Sequence, residues 1–281
     1  MKITNKYNLP GPLVDAIRND SYNSKADASV TELLKPLQAI VLGRIHKDEM
    51  VEDASDRIWA LLGQAVHAIL ERHEASDRLQ EERLFTKING WTISGQADLL
   101  ESKKLSDYKV TSVWSVRYGH DDWERQLNLL RYLYYLNGFT DIEELEICAI
   151  LRDWNRKEAA RNPDYPQRPA QTVKVRLWDI AEAEVWLKRR VTELQNAYMD
   201  SDNLPECTPE ERWAKPDTYA VIKDGNKRAH RIFDTPEEAE ALKIELGDKY
   251  IVEKREGQQA VRCEYCAAAD FCKQYKALKG E

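Results

Sequence analysis

The stretch from Gly95 to Lys109, GQADLLESKKLSDYK, holds two carboxylates, Asp98 and Asp107, and an ammonium group, Lys109, two residues beyond the second. Side chains two apart on a strand point to one face. If LSDYKV is extended, Asp107 and Lys109 therefore share a face and Tyr108 points to the other. The preceding LFTKI and WTISG flank Asn89-Gly90, a pair suited to a type I′ turn, and read as a hairpin. Asp98 then falls near the end of the second strand, before the polar turn ESKK. If that strand neighbours LSDYKV, the two aspartates converge on one cation. Hard oxygen ligands at such a point favour Mg²⁺ or Mn²⁺.

A second set of residues able to hold a metal lies at the C-terminus, Cys263-x2-Cys266-x5-Cys272. Zinc prefers four ligands, commonly in paired C-x2-C knuckles, and the x5 gap fits that poorly. Iron–sulfur clusters accept irregular spacing. The two remaining cysteines are Cys148, inside the apolar run LEICAIL where it reads as a small core residue, and Cys207.

The elements that must position these groups are legible as periodicities. A helix is expected from Ser29, capped by Glu32, with Pro36 falling near its first turns or kinking it. Gly43 to Ser55 reads as a polar break. A second helix runs from about Asp56 to Ala75, with Ile58, Leu61, Leu62, Ala65, Val66, Ile69 and Leu70 as its buried stripe and His67 opposite. A third starts near Asp121 and stops at Gly138. LEICAILRDW reads as a buried strand, residues 155–171 as a long loop with several basic residues, and TVKVRLW as a strand. DIAEAEVWLKRRVTELQNAYM is an amphipathic helix. TYAVIK and KRAHRIF form a second hairpin around Asp224-Gly225, followed by the helix TPEEAEALKIEL and the strand KYIVEKRE.

Gly95-x-x-Asp98 followed by Asp107-x-Lys109 resembles the PD-(D/E)XK nuclease superfamily. Gly63-x3-His67-x2-Leu70-Glu71 resembles the first motif of its RecB-type branch. Gln126 matches the glutamine of that branch's Q-x-x-x-Y motif. The tyrosine position is Leu130, a departure, and the nearby Tyr132 and Tyr134 read as core residues. The cysteine trio resembles the C-terminal cysteines of RecB-type nucleases that carry a [4Fe–4S] cluster, AddB-like domains among them. Those relatives take a fourth cysteine from upstream of the nuclease motifs. Here no cysteine precedes Cys148, so Cys207 is the expected fourth ligand. A Zn²⁺ ion on the same four cysteines is the alternative.

The resemblance implies an α/β, restriction-endonuclease-like core over residues 1–202, a mixed central sheet flanked by helices. A small α+β region with the cysteine cluster would follow over residues 203–281. It implies that Mg²⁺ or Mn²⁺ is held by His67, Asp98, Asp107 and the Tyr108 carbonyl, with Lys109 and Gln126 completing the catalytic set. The implied activity is a metal-dependent deoxyribonuclease, an exonuclease acting on DNA ends or single strands in phage-type recombination, replication or DNA processing. DNA is the expected partner, with a recombinase or single-strand-binding protein beside it. The rival expectation is a non-cutting DNA-end-binding module on the same fold. Of the 281 residues, 42% are hydrophobic and 32% charged, which excludes a disordered chain. No apolar run approaches the roughly 20 residues of a membrane span, and MKITNKYNLPG lacks a signal-peptide core, so an intracellular (cytoplasmic) protein is expected. The net charge of −7 excludes coating of DNA by the whole surface but leaves room for a local basic groove.

Overall fold

The computed structural model describes residues 1–19, 25–72, 77–119 and 121–281. In chain order its elements are β1 (Lys2–Thr4), α1 (Gly11–Arg18), β2 (Ala28–Ser29), α2 (Val30–Leu33), α3 (Leu37–Ile45), β3 (Val51–Asp53), α4 (Ile58–Glu71), β4 (Arg78–Gln80), β5 (Arg83–Ile88), β6 (Trp91–Gln96), β7 (Leu99–Glu101) and β8 (Lys104–Thr111). There follow α5 (Val113–Tyr118), α6 (Asp121–Leu136), β9 (Glu144–Leu151), α7 (Arg156–Arg161), β10 (Ala170–Val175) and α8 (Ile180–Met199). The chain ends with β11 (Thr218–Lys223), β12 (Ala229–Phe233), α9 (Pro236–Leu246), β13 (Tyr250–Arg255) and α10 (Lys273–Lys279). The architecture is mixed α/β, with mixed sheets flanked by helices. Among the described residues no helix is long and apolar enough to cross a membrane.

Asn89 and Gly90 both take positive φ, 49° and 85°, as the type I′ turn between β5 and β6 requires. The chain bends at Ala97–Asp98 and resumes as β7. Ser102 and Lys103, also at positive φ, then turn it into the antiparallel β8. β8 runs parallel to β9, and such a pair needs a crossover, here α5 and α6. The five-stranded sheet has the order β10-β9-β8-β7-β4, and a smaller sheet has β2-β6-β5. α6 supplies much of the core: Leu127, Leu129, Leu130, Leu133 and Tyr134 are all fully buried. Its approach to β6 depends on Gly95, where a Cβ would fall 2.7 Å from Leu130 Cδ2 and 2.9 Å from Leu133 Cδ2. The departure at Leu130 is thus a packing position against the glycine of G-x-x-D.

Several expectations need correction. Pro36 does not kink a helix but divides two, standing as the residue before α3 while Ser29 caps α2 through Glu32 N. The supposed polar break contains β3, which pairs in parallel with β1. The expected buried stripe of α4 is not buried: Leu62, Ala65 and Ile69 are exposed, and Ile58 and Leu61 pack only partly, against Val14, Ile17 and Ala54. Apolar residues surround that helix, so periodicity misassigned its inner face. The expected end of this helix at Ala75 lies outside the described residues. The long loop contains α7, capped by Asn155, and β10 starts earlier than the alternation indicated, at Ala170.

Near the C-terminus, β12-β11-β13 form an antiparallel sheet against which α9 packs. The two ends of this unit are clamped together, Lys215 N donating to Gln258 O at 2.8 Å and Gly257 N to Asp217 Oδ1 at 2.8 Å. A Cβ on Gly257 would lie 2.0 Å from the Lys215 carbonyl oxygen, so only glycine fits at this neck.

Gly95→Ala should destabilise the protein by about 1–3 kcal/mol through overpacking against α6. Equilibrium denaturation measures this, and an unchanged midpoint would mean that α6 does not need so close an approach.

Candidate metal centre and cysteine cluster

The β7–β8 ladder ends at the Leu99–Ser106 pair, and Asp98, the residue before β7, reaches the next part of β8, where Asp107 and Tyr108 lie. Asp107 and Lys109 share one face of β8. On that face α6 brings Gln126, whose Nε2 donates to Asp107 Oδ1 at 3.1 Å and whose Oε1 accepts from Lys109 Nζ at 3.1 Å. Lys109 Nζ also lies 2.5 Å from Asp107 Oδ2. That oxygen is fully buried, and the Lys109 ammonium is the charge that compensates it. Burial pushes the Asp107 carboxyl up, and the charge of Asp98 adds to this, while Lys109 and His67 pull it down.

The bend at Ala97–Asp98 turns the Asp98 carboxylate to the edge of β8, where Oδ2 accepts from Tyr108 N. Strand geometry points the N–H and C=O of one residue to the same edge, so the Tyr108 carbonyl also faces this side. The Tyr108 ring lies on the face opposite Asp107 and meets His67 of α4, the ring centroids 6.3 Å apart. Hence α4 and α6 cover opposite faces of β8. His67 Nδ1 lies 3.1 Å from Glu81 Oε1 and 3.3 Å from Asp98 Oδ1. These two carboxylates push the imidazole up to about 10, so in the absence of metal a protonated His67 offsets part of their charge.

His67, Glu81 and Asp98 form a group whose potential ligand atoms all lie within 4.8 Å of one another. One nitrogen and two carboxylate oxygens fit a divalent ion of the Mn²⁺ or Mg²⁺ kind. The structure thus separates the expected set. Asp98 and His67 join Glu81, whereas Asp107 stands beside them, held by Lys109 and Gln126. Sequence reasoning missed Glu81. It occupies the connection between β4 and β5 with φ 51°, unusual for a residue with a side chain, and its N–H donates to the Asp98 carbonyl at 3.2 Å. Gln96 Nε2 donates to its Oε2, and Tyr134 on α6 donates to the neighbouring Glu82 carbonyl at 3.2 Å. The tyrosine that departs from the expected spacing therefore packs in the core and steadies the Glu81 segment.

Cys207 and Cys272 both point at Gln38 of α3, their thiols 3.7 and 3.1 Å from its Oε1. Burial pushes the Cys207 thiol up to about 12, and the charges of Glu211, Cys272, Cys263 and Cys266 act in the same direction. The four thiols therefore lie in one neighbourhood. Cys148 is elsewhere, in β9 between Tyr108 and Thr172, and its thiol is raised by burial and Glu146. His46 stacks on Phe271 at 4.0 Å, next to Cys272, so the cysteine segments dock on α3 and the turn that follows it.

No family model and no curated protein matches the chain. One solved structure, titled "Crystal structure of SSO0001", superposes with a TM-score of 0.46 and 17% identity, covering 69% of this chain and 87% of that one.

The folded-state pKa of His67 lies above its ordinary 6.5, so its contribution to metal-free stability is complete below about pH 6.5 and is lost as pH rises through about 10. In EDTA, the difference in unfolding free energy between wild type and His67→Gln should shrink across that window. A difference independent of pH would place no proton on His67.

Changing Cys207→Ser should remove most bound iron from anaerobically purified protein, whereas Cys148→Ser should leave the iron content unchanged. The reverse result would exchange the two assignments, and one zinc per chain without iron would replace the cluster by a single ion.

Proposed function

We propose that the chain is a metal-dependent deoxyribonuclease with a restriction-endonuclease-like core of the PD-(D/E)XK type. The observation that carries this reading is the Asp98 carboxylate seated at Tyr108 N of β8, with Asp107 and Lys109 on either side of Tyr108 and His67 and Glu81 closing on Asp98. The donor set fits a divalent ion, and Asp107 Oδ2 is a buried acceptor beside the Lys109 ammonium. Mg²⁺ or Mn²⁺ bound there would lower the pKa of a coordinated water and offset charge on a scissile phosphate.

The chain's own residues divide the remaining tasks. Glu81, Asp98 and His67 bind the ion, and His67 must shed its proton to do so. The Tyr108 carbonyl at the strand edge and Asp107 on the α6 face would complete the oxygen donors. Lys109 keeps its ammonium at the mouth of the site, its side chain 26% exposed, where it can reach a phosphate oxygen and stabilise developing negative charge. Gln126 locks the Lys109–Asp107 pair, its Oε1 accepting a hydrogen bond from Lys109 and its Nε2 donating one to Asp107. The buried position of Asp98 and Asp107 keeps water from screening these charges.

The favoured mode is exonucleolytic, on DNA ends or single strands, in recombination, replication or DNA processing of the phage type, with a recombinase or single-strand-binding protein as companion. Cys207, Cys263, Cys266 and Cys272 hold a [4Fe–4S] cluster in this reading. Its role is structural, closing the long loop from residue 207 to 263 over α3, a link whose entropic benefit grows with loop length.

The test is cleavage of end-labelled single- and double-stranded DNA with Mg²⁺, Mn²⁺ or EDTA. Asp98→Ala and Asp107→Ala should fall to the EDTA level, Lys109→Ala by about 10²–10³-fold, and Glu81→Gln should raise the metal concentration required. Full activity in either Asp variant would put the chemistry elsewhere, and binding without any cleavage would favour a non-cutting module.

A further inference from the structure

We infer that Gln38 is a positioning residue for the four-cysteine site: its buried amide donates hydrogen bonds to the sulfurs of Cys207 and Cys272 once those sulfurs hold a metal. The inference rests on the cysteine-cluster part of the proposed function and adds to it a side chain from a distant helix.

Gln38 stands in the first turn of α3 and is 7% exposed, buried like Ile40 and Val41 of the same helix. An amide taken out of water costs free energy unless it finds partners, and a leucine would fill similar space without that cost. The partners that Gln38 finds are two thiols, Cys207 Sγ at 3.7 Å and Cys272 Sγ at 3.1 Å from Oε1. They come from segments 169 and 234 residues away along the chain. One side-chain oxygen thus joins the first and the last of the four cysteines.

The backbone around both cysteines is held by contacts that need no metal. Cys207 N donates to Gln274 Oε1 at 2.9 Å, and Gln274 Nε2 donates to Cys207 O at 2.9 Å, which ties the residue to α10. Arg212 Nε donates to the same carbonyl at 3.1 Å. Cys272 caps α10, its sulfur accepting from Tyr275 N at 3.3 Å. Phe271, the residue before it, stacks on His46 at the end of α3. The two sulfurs are therefore seated against α3 by their own segments.

Metal binding reverses the direction of the hydrogen bonds to Gln38. In the metal-free chain each S–H donates and the amide oxygen accepts. A sulfur that ligates a metal has lost its proton and can only accept. Oε1 would then face two negative sulfurs. Turning the amide over about its last bond exchanges Oε1 for Nε2, whose two N–H groups match two acceptors. Glutamate has no N–H and leucine no polar atom, so neither can replace it in this role. The Tyr275 N–H already points at Cys272 Sγ in the sense that a ligated sulfur needs. Hydrogen bonds to ligand sulfurs draw charge away from them and help to set how tightly a site holds its metal.

The experiment compares the full-length wild type with Gln38→Leu and Gln38→Glu, all purified without oxygen. Four quantities are read: bound iron, its rate of release to a chelator, the midpoint potential of the visible absorption, and the melting temperature of the metal-free chains. Gln38→Leu should release iron about tenfold faster than wild type. Its midpoint should move to a more negative value, because the reduced site carries more charge on its sulfurs and has lost donors to them. Gln38→Glu should retain little iron, since a carboxylate then faces the ligand sulfurs. The metal-free melting temperature of Gln38→Leu should not fall, because thiols are weak donors and lose little when the amide goes. A Gln38 that serves only the fold would give the reverse pattern in Gln38→Leu, a lower metal-free melting temperature with unchanged release and midpoint, and that result overturns the inference. So does a Gln38→Glu variant with the full iron content of wild type. A wild-type chain that holds zinc in place of iron sinks the cluster reading alone. Zinc release to a chelator then carries the test, with the same acceleration expected in Gln38→Leu, and an unchanged rate overturns the role of Gln38.

Discussion

Burying two carboxylates beside each other is the constraint on which the centre of this fold depends. Asp98 and Asp107 are almost wholly removed from water, and an uncompensated buried charge costs several kcal/mol. Each is compensated from a different direction. Asp107 is held by Lys109 of its own strand and Gln126 of α6. Asp98 is held by the Tyr108 N–H and by His67 of α4. The two helices therefore have to lie on opposite faces of β8, and the parallel partner β9 with its crossover follows, because α6 can reach its face only by passing over the sheet between the strands. Gly95 belongs to the same constraint, since without its missing side chain α6 could not come close enough to deliver Gln126.

The parts of this arrangement that are local in sequence could be read from it. Asn89-Gly90 announces its turn, the alternation of LSDYKV places Asp107 and Lys109 together, and Gln126 sits on a helix with clear ends. Glu81 could not be read, because nothing in a pair of glutamates between two short strands reveals the left-handed φ that turns one of them inward. The inner face of α4 was misassigned for a related reason. Its apolar residues are spread around the helix, and the face that matters is chosen by a polar residue, His67, that meets two carboxylates from distant strands. Periodicity ranks faces by hydrophobicity and cannot weigh an ion pair. The pairing of β1 with β3 rests on contacts about fifty residues apart and has no local signature.

The cysteines illustrate the opposite case. Three of them were legible as a set from spacing alone, and the choice of Cys207 over Cys148 followed from the apolar run around Cys148. Distance in sequence hid the surface on which they assemble. Gln38 and His46 come from α3 and its end, far from the cysteines, and meet Cys207, Cys272 and Phe271. The β11–β13 unit, by contrast, is closed at its neck by Gly257.

Strand β8 ties the local and the distant features to one axis. Its middle supplies Asp107, Tyr108 and Lys109, and its last residue, Thr111, anchors both Arg152 and the start of α5. Helix α4 runs alongside with His67 near the middle of the strand. A displacement of α4 along β8 would therefore move the metal ligand. Such a coupling explains why a helix with little buried apolar surface is retained in this position. Its contacts include the His67 ion pairs and the partial packing of Ile58 and Leu61 against Val14, Ile17 and Ala54. The residue that offers chemistry to a ligand, His67, is then one that fixes the helix, which makes the strength of that packing depend on what the site contains.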